Sequence, residues 1–327
     1  MASRRTTATA LSTALAAGLV IAAPPPAIAA ISAFTISGTA VFHPPPYPEQ
    51  LVPGYFSGNA VTNIAYPAAI FGMDASVAVA ATGIERAMER SSGPMVIGGF
   101  SQGAIAVTYA MRAIMALPAD QRPATDELTF LTIGDPTAPG GILRFLDAFV
   151  PVIELTPVAM PETPYDTVVI NGEYDGWGDF PDRPWNLVSV VNALMGTVYV
   201  HGYYEMIPGG LDLSSADVST TVNSLGGQTT TYLIPTENLP LVQPLRDIGV
   251  PEEFVSAIET PLRTIVDAAY ARHDAPAAPA ISPAASHPVS VTAAPRRAGI
   301  PTAVRAGAPE TRPSAERPWR QRGTGTG

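Results

Sequence analysis

Short apolar runs alternate with longer helix-like segments over the first two thirds of the chain. The runs are rich in large apolar and β-branched residues, and most of them end at a glycine, as strands of a buried sheet do. This alternation is typical of a parallel sheet with helices on both faces, so the sequence predicts an α/β fold with a central, mostly parallel sheet. The predicted strands are 32–37, 94–98, 127–133 and 167–171, and the predicted helices are 68–90 and 104–115.

Two further segments show neither the apolar period of a helix nor that of a strand. Residues 41–66 are rich in Pro, Tyr and Gly, which predicts a long loop. Residues 203–245 are apolar and proline-rich, and they include Met206, Ile207 and Leu211. We expect this second segment to form a lid or flap over a bound apolar chain, with ordinary surface packing as the alternative.

The N-terminal residues have the three parts of a secretory signal peptide. Arg4 and Arg5 form a basic start, residues 10–23 are apolar, and residues 27–29 are a small-x-small cleavage site. The apolar part is too short and too rich in alanine for a typical membrane span. We therefore predict that residues 1–29 are a signal peptide, that the mature chain has no membrane span, and that it is secreted or held at the cell envelope. A retained N-terminal anchor is the alternative.

Charge and composition separate the remaining chain into two parts. Residues 30–271 carry 25 acidic residues and eight arginines, a balance that has no electrostatic match to nucleic acid. Residues 273–327 are dominated by Pro, Ala, Arg and Ser, which predicts a disordered tail after a folded domain at 30–272. The basic tail allows contact with an anionic envelope surface, although its dispersed charges are more typical of a solvated linker.

Residue counts exclude several kinds of chemistry. The 327 residues include no cysteine, so there is no disulfide framework, no thiolate nucleophile and no cysteine-ligated metal. The four histidines are scattered and do not form an H-E-x-x-H motif. We predict no metal and no cofactor.

A G-x-S-x-G motif lies between a predicted strand and a predicted helix. In Gly99–Gly103 the central residue is Ser101, and such a serine on a sharp strand-to-helix turn is the nucleophile elbow of α/β-hydrolases. The glycines fit because the turn strains the serine backbone and leaves no room for bulky neighbours. The elbow also brings the backbone N–H of Gln102 beside the hydroxyl, where it can stabilise an oxyanion.

A serine hydroxyl needs a base, and the four histidines narrow the choice. In this fold the base follows the nucleophile and the acid along the chain, and His43 does not fit because it precedes Ser101. His273 and His287 lie at or inside the predicted tail, and His273 is the reserve candidate. His201 follows an apolar stretch one hundred residues after Ser101, and it is the predicted base.

The acid that orients the histidine is expected on a loop after a later strand. Asp175 comes three residues after Gly172, the glycine that ends the predicted strand 167–171, and it is the favoured acid. Asp179 lies four residues further and stays open as the alternative. Asp135 ends an earlier strand, but the following proline makes a role in a turn more natural.

The second donor to an oxyanion normally comes from the loop after the first core strand. That loop is Gly38–Ala40 here, and the backbone N–H of Thr39 is the predicted donor opposite Gln102. A plain strand-ending turn is the alternative for this loop.

Several motifs occur in an order that resembles the PE-PPE domain of mycobacteria and related actinobacteria. They are Gly98–Gly103, Gly134–Pro136 with Gly140–Gly141, the block YDGWGDFP at 174–181, Val200–Gly202, Tyr232–Pro235 and Leu239–Leu241. The resemblance covers about residues 32–272, and YDGWGDFP is its most specific part. It implies a cutinase-like serine α/β-hydrolase, with Ser101 as nucleophile, His201 as base and Asp175 as acid.

The sequence therefore predicts a secreted esterase or lipase that hydrolyses short- to medium-chain acyl esters. The resemblance also implies an alternative, because some members of the family transfer acyl chains onto trehalose and build envelope glycolipids. A non-catalytic envelope protein that binds lipid or a partner is the third hypothesis. It would be favoured by the loss of a triad residue, and none is missing.

Overall fold

A seven-stranded sheet forms the centre of the computed structural model, which describes residues 31–41 and 43–274. The strands are Ser32–Ile36 (β1), Ala60–Asn63 (β2), Met95–Phe100 (β3), Leu128–Ile133 (β4), Asp166–Gly172 (β5), Asp217–Val222 (β6) and Gln228–Ile234 (β7). Their spatial order is β2-β1-β3-β4-β5-β7-β6, and β6, at one edge, is antiparallel to β7 while all other pairs are parallel. The predicted mostly parallel sheet is confirmed.

Helices flank this sheet, and two of the longer ones, α4 and α5, follow the strands β3 and β5 that carry the candidate site. The helices are Pro48–Leu51 (α1), Pro53–Phe56 (α2), Met73–Arg90 (α3), Gln102–Ala116 (α4), Leu187–Tyr199 (α5), Gln243–Asp247 (α6) and Glu252–Asp267 (α7). A 3-10 turn at His201–Met206 follows α5 directly. The helices predicted at 68–90 and 104–115 correspond to α3 and α4.

Alternate strand residues build a core on each face of the sheet, as the period of two requires. On one face Phe34 and Ile97 pack with α3 and α4. On the other face Val96 and Ile170 pack with α1, α2 and the turn after α5. Because the central strands are buried on both faces, they are continuous apolar runs, which is why the sequence predicts them well.

The predicted long loop at 41–66 is wrong in part. It contains α1, α2 and the edge strand β2, which pairs in parallel with β1. The residues of β2 are largely exposed, so the strand lacks the apolar alternation that identifies a strand in a sequence. The antiparallel strand β6 is exposed along its whole length and escaped prediction for the same reason.

Two of the three side chains expected to form a flap lie elsewhere, and the third, Met206, is exposed. Ile207 and Leu211 pack into the core on the α1 and α2 face of the sheet, beside Leu51. The segment 203–245 instead contributes Glu205 to the wall of the cleft over Ser101. Burial against the sheet removes these apolar side chains from water, and so stabilises them more than a position in a flap over a solvent-filled cleft would.

The ends of the chain lie outside this description. The predicted signal peptide, residues 1–29, and all but the first two residues of the predicted tail, 273–327, fall in the part of the chain that the structure does not describe. His273, the first residue of that tail, ends a 3-10 turn at Ala271–His273. Within residues 31–41 and 43–274, no helix combines the length and the hydropathy that a membrane crossing needs.

Candidate active site

Ser101 lies on a sharp turn between β3 and α4. Its φ of 53° and ψ of −114° place a non-glycine residue in a sparsely populated region, at a cost of about 1–3 kcal/mol. A Cβ at Gly99 would lie 2.4 Å from the carbonyl oxygen of Gly103, and one at Gly103 would lie 2.5 Å from that of Ile36. Glycine is therefore required at both positions, and the strained turn predicted from the sequence is present.

A chain of hydrogen bonds connects Ser101, His201 and Asp175. The Nε2 atom of His201 lies 2.9 Å from the Ser101 hydroxyl oxygen, and its Nδ1 atom lies 2.8 Å from Asp175 Oδ2. An ionised carboxylate only accepts, so Nδ1 carries the proton and Nε2 is free to accept from the serine. Asp175 is fully buried in the loop after β5, and His201 begins the turn after α5.

Three neighbours fix the position of the His201 ring and its carboxylate partner. Phe100 stacks on the ring with a centroid distance of 5.4 Å and an interplanar angle of 20°. The backbone N–H of Trp177 donates to Asp175 Oδ1 at 2.8 Å. A Cβ at Gly134 would lie 2.6 Å from the ring, so the glycine at the end of β4 makes room for the histidine.

Asp179, the alternative acid, has different partners. Its carboxylate accepts from the backbone N–H of Tyr174 at 2.7 Å and from the guanidinium of Arg272 at 2.9 Å. Burial raises the pKa of Asp179 to about 6, even though the charge of Arg272 acts in the opposite direction. The loss of hydration of a buried carboxylate therefore exceeds the gain from one ion pair here. In this structure Asp175 and not Asp179 contacts His201.

The other candidate groups also lie apart from the Ser101 hydroxyl. Asp135 is fully buried, and its carboxylate accepts from the backbone N–H and the hydroxyl of Thr137. Burial raises the pKa of Asp135. His273 lies 3.8 Å from Glu173, near the end of the described chain, and His43 lies 3.3 Å from Glu205.

The predicted oxyanion donors border the same space. Gln102 is the first residue of α4, where a backbone N–H has no partner within the helix. Thr39 lines the cleft beside Ser101, and a Cβ at the preceding Gly38 would come within 3.3 Å of the Ser101 Cβ atom. The single hydroxyl proton of Tyr66 is shared between the carbonyl oxygens of Ser37 and Gly38, and so ties this loop to the segment after β2.

The side chain of Gln102 ties the elbow to a second loop. Its amide donates to the carbonyl oxygen of Ala69 at 2.8 Å, while the carbonyl oxygen of Ala68 accepts from the backbone N–H of Ala40. The loop that carries Thr39 is therefore connected to α4 through residues 68–69.

An apolar cleft of about 240 Å³ opens over Ser101. Its apolar walls come from Val41, Ile70, Met73, Phe100, Ile105, Pro136, Ile153, Leu155 and Trp177. Glu205 adds a carboxylate beside His201, and burial raises the pKa of Glu205. Such a cleft suits the hydrocarbon chain of an ester whose carbonyl lies at the serine.

Across the described residues, no group of three or more His, Cys, Asp or Glu side chains is arranged to hold a metal ion.

Comparison with known families now identifies the domain. Residues 46–271 match the model of the PE-PPE domain, which is more than half of the chain. This chain belongs to the PE-PPE domain family. The match covers Ser101, Asp175, His201 and Gln102 but not Thr39 or Val41, and the predicted resemblance is confirmed.

Curated relatives of this PE-PPE chain come from Mycobacterium tuberculosis. Esterase PE16 is 40% identical over 204 residues, which are 60% of this chain and 38% of that protein. Diacyltrehalose acyltransferase Chp2 is 36% identical over 58% of this chain and 55% of its own length. SL1278 acyltransferase Chp1 is 32% identical over 72% and 60% respectively. The chain thus spans about two fifths to three fifths of the length of these relatives.

Solved structures give weaker matches. Lysin B from Mycobacteriophage D29 aligns with a TM-score of 0.35 at 16% identity, over 75% of this chain and 92% of that one. A cutinase-like protein from Cryptococcus sp. aligns with a TM-score of 0.30 at 16% identity, over 46% and 79%.

Three polar groups next to the triad were not predicted from the sequence. Trp177 contributes a backbone N–H to Asp175, Tyr204 contributes a hydroxyl, and Glu205 lies on the cleft wall. Tyr204 and Glu205 follow His201 within four residues, and this closeness along the chain was the only sign in the sequence that they belong to the site. Sequence distance alone does not tell which side of a 3-10 turn faces the site.

Proposed function

We propose that this PE-PPE protein is a serine esterase that hydrolyses short- to medium-chain acyl esters through an acyl-enzyme. The observation that carries the proposal is the chain of hydrogen bonds from Ser101 through His201 to Asp175. The similarity to Esterase PE16 supports the same reaction class.

In the first step the Ser101 oxygen attacks the ester carbonyl carbon. The serine proton moves to His201 Nε2, 2.9 Å away, and the carbonyl oxygen becomes a tetrahedral oxyanion. Asp175 accepts from Nδ1 and stabilises the imidazolium that forms. When the tetrahedral intermediate collapses, the alcohol leaves with the proton from Nε2, and Ser101 carries the acyl group.

In the second step water occupies the place of the alcohol. His201 Nε2 takes a proton from the water as its oxygen attacks the acyl carbon, and collapse of the second intermediate returns a proton to Ser101. The carboxylic acid is released and the enzyme is regenerated.

Two backbone N–H groups are proposed to stabilise both oxyanions. Gln102 supplies one from the start of α4, where the helix dipole adds partial positive charge. Thr39 supplies the other from the loop that Tyr66 ties to the segment after β2.

The lining of the cleft supports an apolar acyl group as substrate. Its walls are mostly hydrocarbon, and each methylene transferred from water to such a surface contributes about 0.8 kcal/mol. The substrate class we propose is therefore an acyl ester or a lipid that carries one.

The test compares Ser101→Ala with Ser57→Ala. Ser57 is exposed at the end of α2 and serves as the matched control. We expect Ser101→Ala to lose turnover of a chromogenic acyl ester by at least about 10³-fold and to lose labelling by a fluorophosphonate probe, with unchanged thermal unfolding. Full activity in Ser101→Ala would overturn the proposal. A wild-type protein that neither turns over esters nor takes the label favours the non-catalytic lipid-binding alternative.

Acyl transfer is the second candidate function. The relatives Chp2 and Chp1 are acyltransferases by name, and transfer differs from hydrolysis in the acceptor that attacks the acyl-enzyme. Incubation with an acyl ester and trehalose or another sugar acceptor separates the two. A new acyl-sugar product supports transfer, and free fatty acid alone counts against it.

We further propose that the protein is exported through residues 1–29 and acts outside the cell or at its envelope. Export predicts that the mature protein begins near residue 30. N-terminal sequencing of protein from culture medium and from the envelope fraction tests this, and an uncleaved N-terminus would contradict it.

A further inference from the structure

We propose that Tyr204 is a positioning residue for the Asp175–His201 pair, through the hydrogen bond from its phenol to the carboxylate oxygen that His201 uses. This role rests on the proposed esterase mechanism, which needs an oriented histidine. The Tyr204 hydroxyl bonds to Gly172 and Asp175 rather than to Ser101 or the His201 nitrogens, so it acts through Asp175.

The direction of each hydrogen bond at Tyr204 follows from its partners. The hydroxyl oxygen accepts from the backbone N–H of Gly172 at the end of β5. Its single proton is then available for Asp175 Oδ2, 2.9 Å away, because an ionised carboxylate can only accept. The phenol is 3% exposed, so water does not compete for these bonds.

Two donors converge on one carboxylate oxygen. His201 Nδ1 and the Tyr204 hydroxyl both donate to Oδ2, at 2.8 and 2.9 Å, while the Trp177 N–H donates to Oδ1. With both oxygens held, the carboxylate cannot rotate away from the imidazole. Gly172 is the last residue of β5, so Tyr204 connects the carboxylate of Asp175 to the end of that strand and fixes its position there.

The same bond affects the charge that His201 meets. A donor to Oδ2 draws electron density from the carboxylate and makes it a weaker acceptor for the imidazolium. Loss of the phenol proton leaves more negative charge for Nδ1–H. The His201 imidazolium should then be more stable, and the ring should take up its proton at higher pH.

The same other ionisable groups surround the Asp175–His201 pair in wild type and in a Tyr204 variant. The charge of Asp179 acts on Tyr204 from the loop after β5, and the carboxylate of Glu205 interacts with His201 from the same 3-10 turn. His43 faces Glu205 from the loop after β1. A difference between wild type and a Tyr204 variant therefore arises from the two hydrogen bonds of the phenol hydroxyl.

The main test is the titration of the His201 ring by NMR in wild type and Tyr204→Phe, with the resonance assigned through His201→Gln. We expect the midpoint to rise in Tyr204→Phe. The matched control is Tyr165→Phe, which removes a buried phenol bonded to the carbonyl oxygen of Pro123, away from the site. The control should lower thermal stability without moving the His201 midpoint.

Kinetics provide the second measurement. We expect kcat of Tyr204→Phe to fall about tenfold with little change in KM, and the acid limb of the kcat/KM profile to shift to higher pH. An unchanged His201 midpoint overturns the proposal even if kcat falls, because loss of activity alone is compatible with a structural role. NMR does not depend on turnover, so an inactive wild type refutes the esterase function and leaves the effect of Tyr204 on His201 measurable.

Incorporation of 3-fluorotyrosine at position 204 avoids the loss of the Gly172 partner. The fluorinated phenol keeps both hydrogen bonds and is a stronger donor. We expect the His201 midpoint to move to lower pH, opposite to Tyr204→Phe. A shift in the same direction for both variants contradicts the proposed role, and this arm remains decisive if Tyr204→Phe does not fold.

Discussion

Two aspartates in one loop have different environments. Asp175 is held by three donors, from Trp177, Tyr204 and His201, whereas Asp179 is bonded to Tyr174 and Arg272. They are four residues apart in a glycine-rich loop, where no regular period tells which side chain faces His201. The sequence could therefore favour Asp175 but could not decide between them.

Substitution of each aspartate by asparagine should show which of the two orients His201 and which only stabilises the loop. Asp175→Asn removes the charge that stabilises the imidazolium and can present an N–H to His201, so we expect kcat to fall by about 10³–10⁴-fold. Asp179→Asn keeps an acceptor for the Tyr174 N–H, and we expect a loss below about tenfold. Steady-state kinetics with one ester measure both. A larger loss in Asp179→Asn would reverse the assignment of the acid.

The raised pKa of Asp179 predicts a pH effect on stability. Its folded-state pKa of about 6 exceeds the ordinary value of 3.8, so the folded protein binds this proton more tightly than the unfolded chain does. The resulting contribution is full below about pH 4 and is lost as pH rises through 6, an effect of about 3 kcal/mol. The unfolding free energy of wild type minus that of Asp179→Asn should fall by this amount between pH 4 and 7.

Denaturant unfolding at several pH values checks this expectation. Asp147→Asn, at an exposed position, is the control and should differ from wild type by a nearly constant amount. A wild-type minus Asp179→Asn difference that rises with pH would mean that the ion pair with Arg272 outweighs burial.

At the scale of elements, the elbow depends on close contact between β1, β3 and α4. A Cβ at Gly103 would lie 2.5 Å from the carbonyl oxygens of both Ile36 and Ser37, and backbone cannot move aside as a flexible side chain can. Gly103→Ala should therefore displace α4 from β1, destabilise the fold by about 1–3 kcal/mol and lower kcat at least tenfold.

Gly54→Ala is the matched control for that change. Gly54 lies in α2, and a Cβ there would meet nothing within 4 Å. We expect wild-type kinetics and stability within about 1 kcal/mol of wild type, since alanine is the better helix former. Equal losses in both variants, measured by kinetics and thermal unfolding, would refute the argument from close packing at the elbow.

Burial explains which elements could be predicted from the sequence. β3 and β4 are buried on both faces, so they are clear apolar runs, and the elbow predicted at Ser101 directly follows β3. The edge strands β2 and β6 are mostly exposed and have no such pattern. β7 was missed because its alternation is weak in a threonine-rich run. The contact between Tyr204 and Asp175 depends on how α5 ends, which is a tertiary property.

At the scale of the whole molecule, the cleft exists because distant parts of the chain meet over Ser101. Thr39 follows β1, Ile105 lies in α4, Ile153 precedes β5 and Thr197 lies in α5. Except for Thr39, each is unremarkable in its local sequence, and the four become neighbours only when the sheet and its helices have assembled. The size of the cleft, and with it the preferred acyl length, was therefore beyond prediction from sequence.

The apolar walls predict a chain-length profile with a plateau. Each further methylene that enters the cleft should contribute about 0.8 kcal/mol, or about fourfold in kcat/KM, until the cleft is full. Ile153→Trp fills part of this space and should move the plateau to shorter acyl chains. Val152→Trp is the control, because Val152 is 74% exposed and is not among the residues that line the cleft. The measurement is kcat/KM of wild type and of the two variants with a series of chromogenic esters of increasing acyl chain length. If Ile153→Trp and Val152→Trp keep the same plateau as wild type, the acyl chain does not bind along this wall.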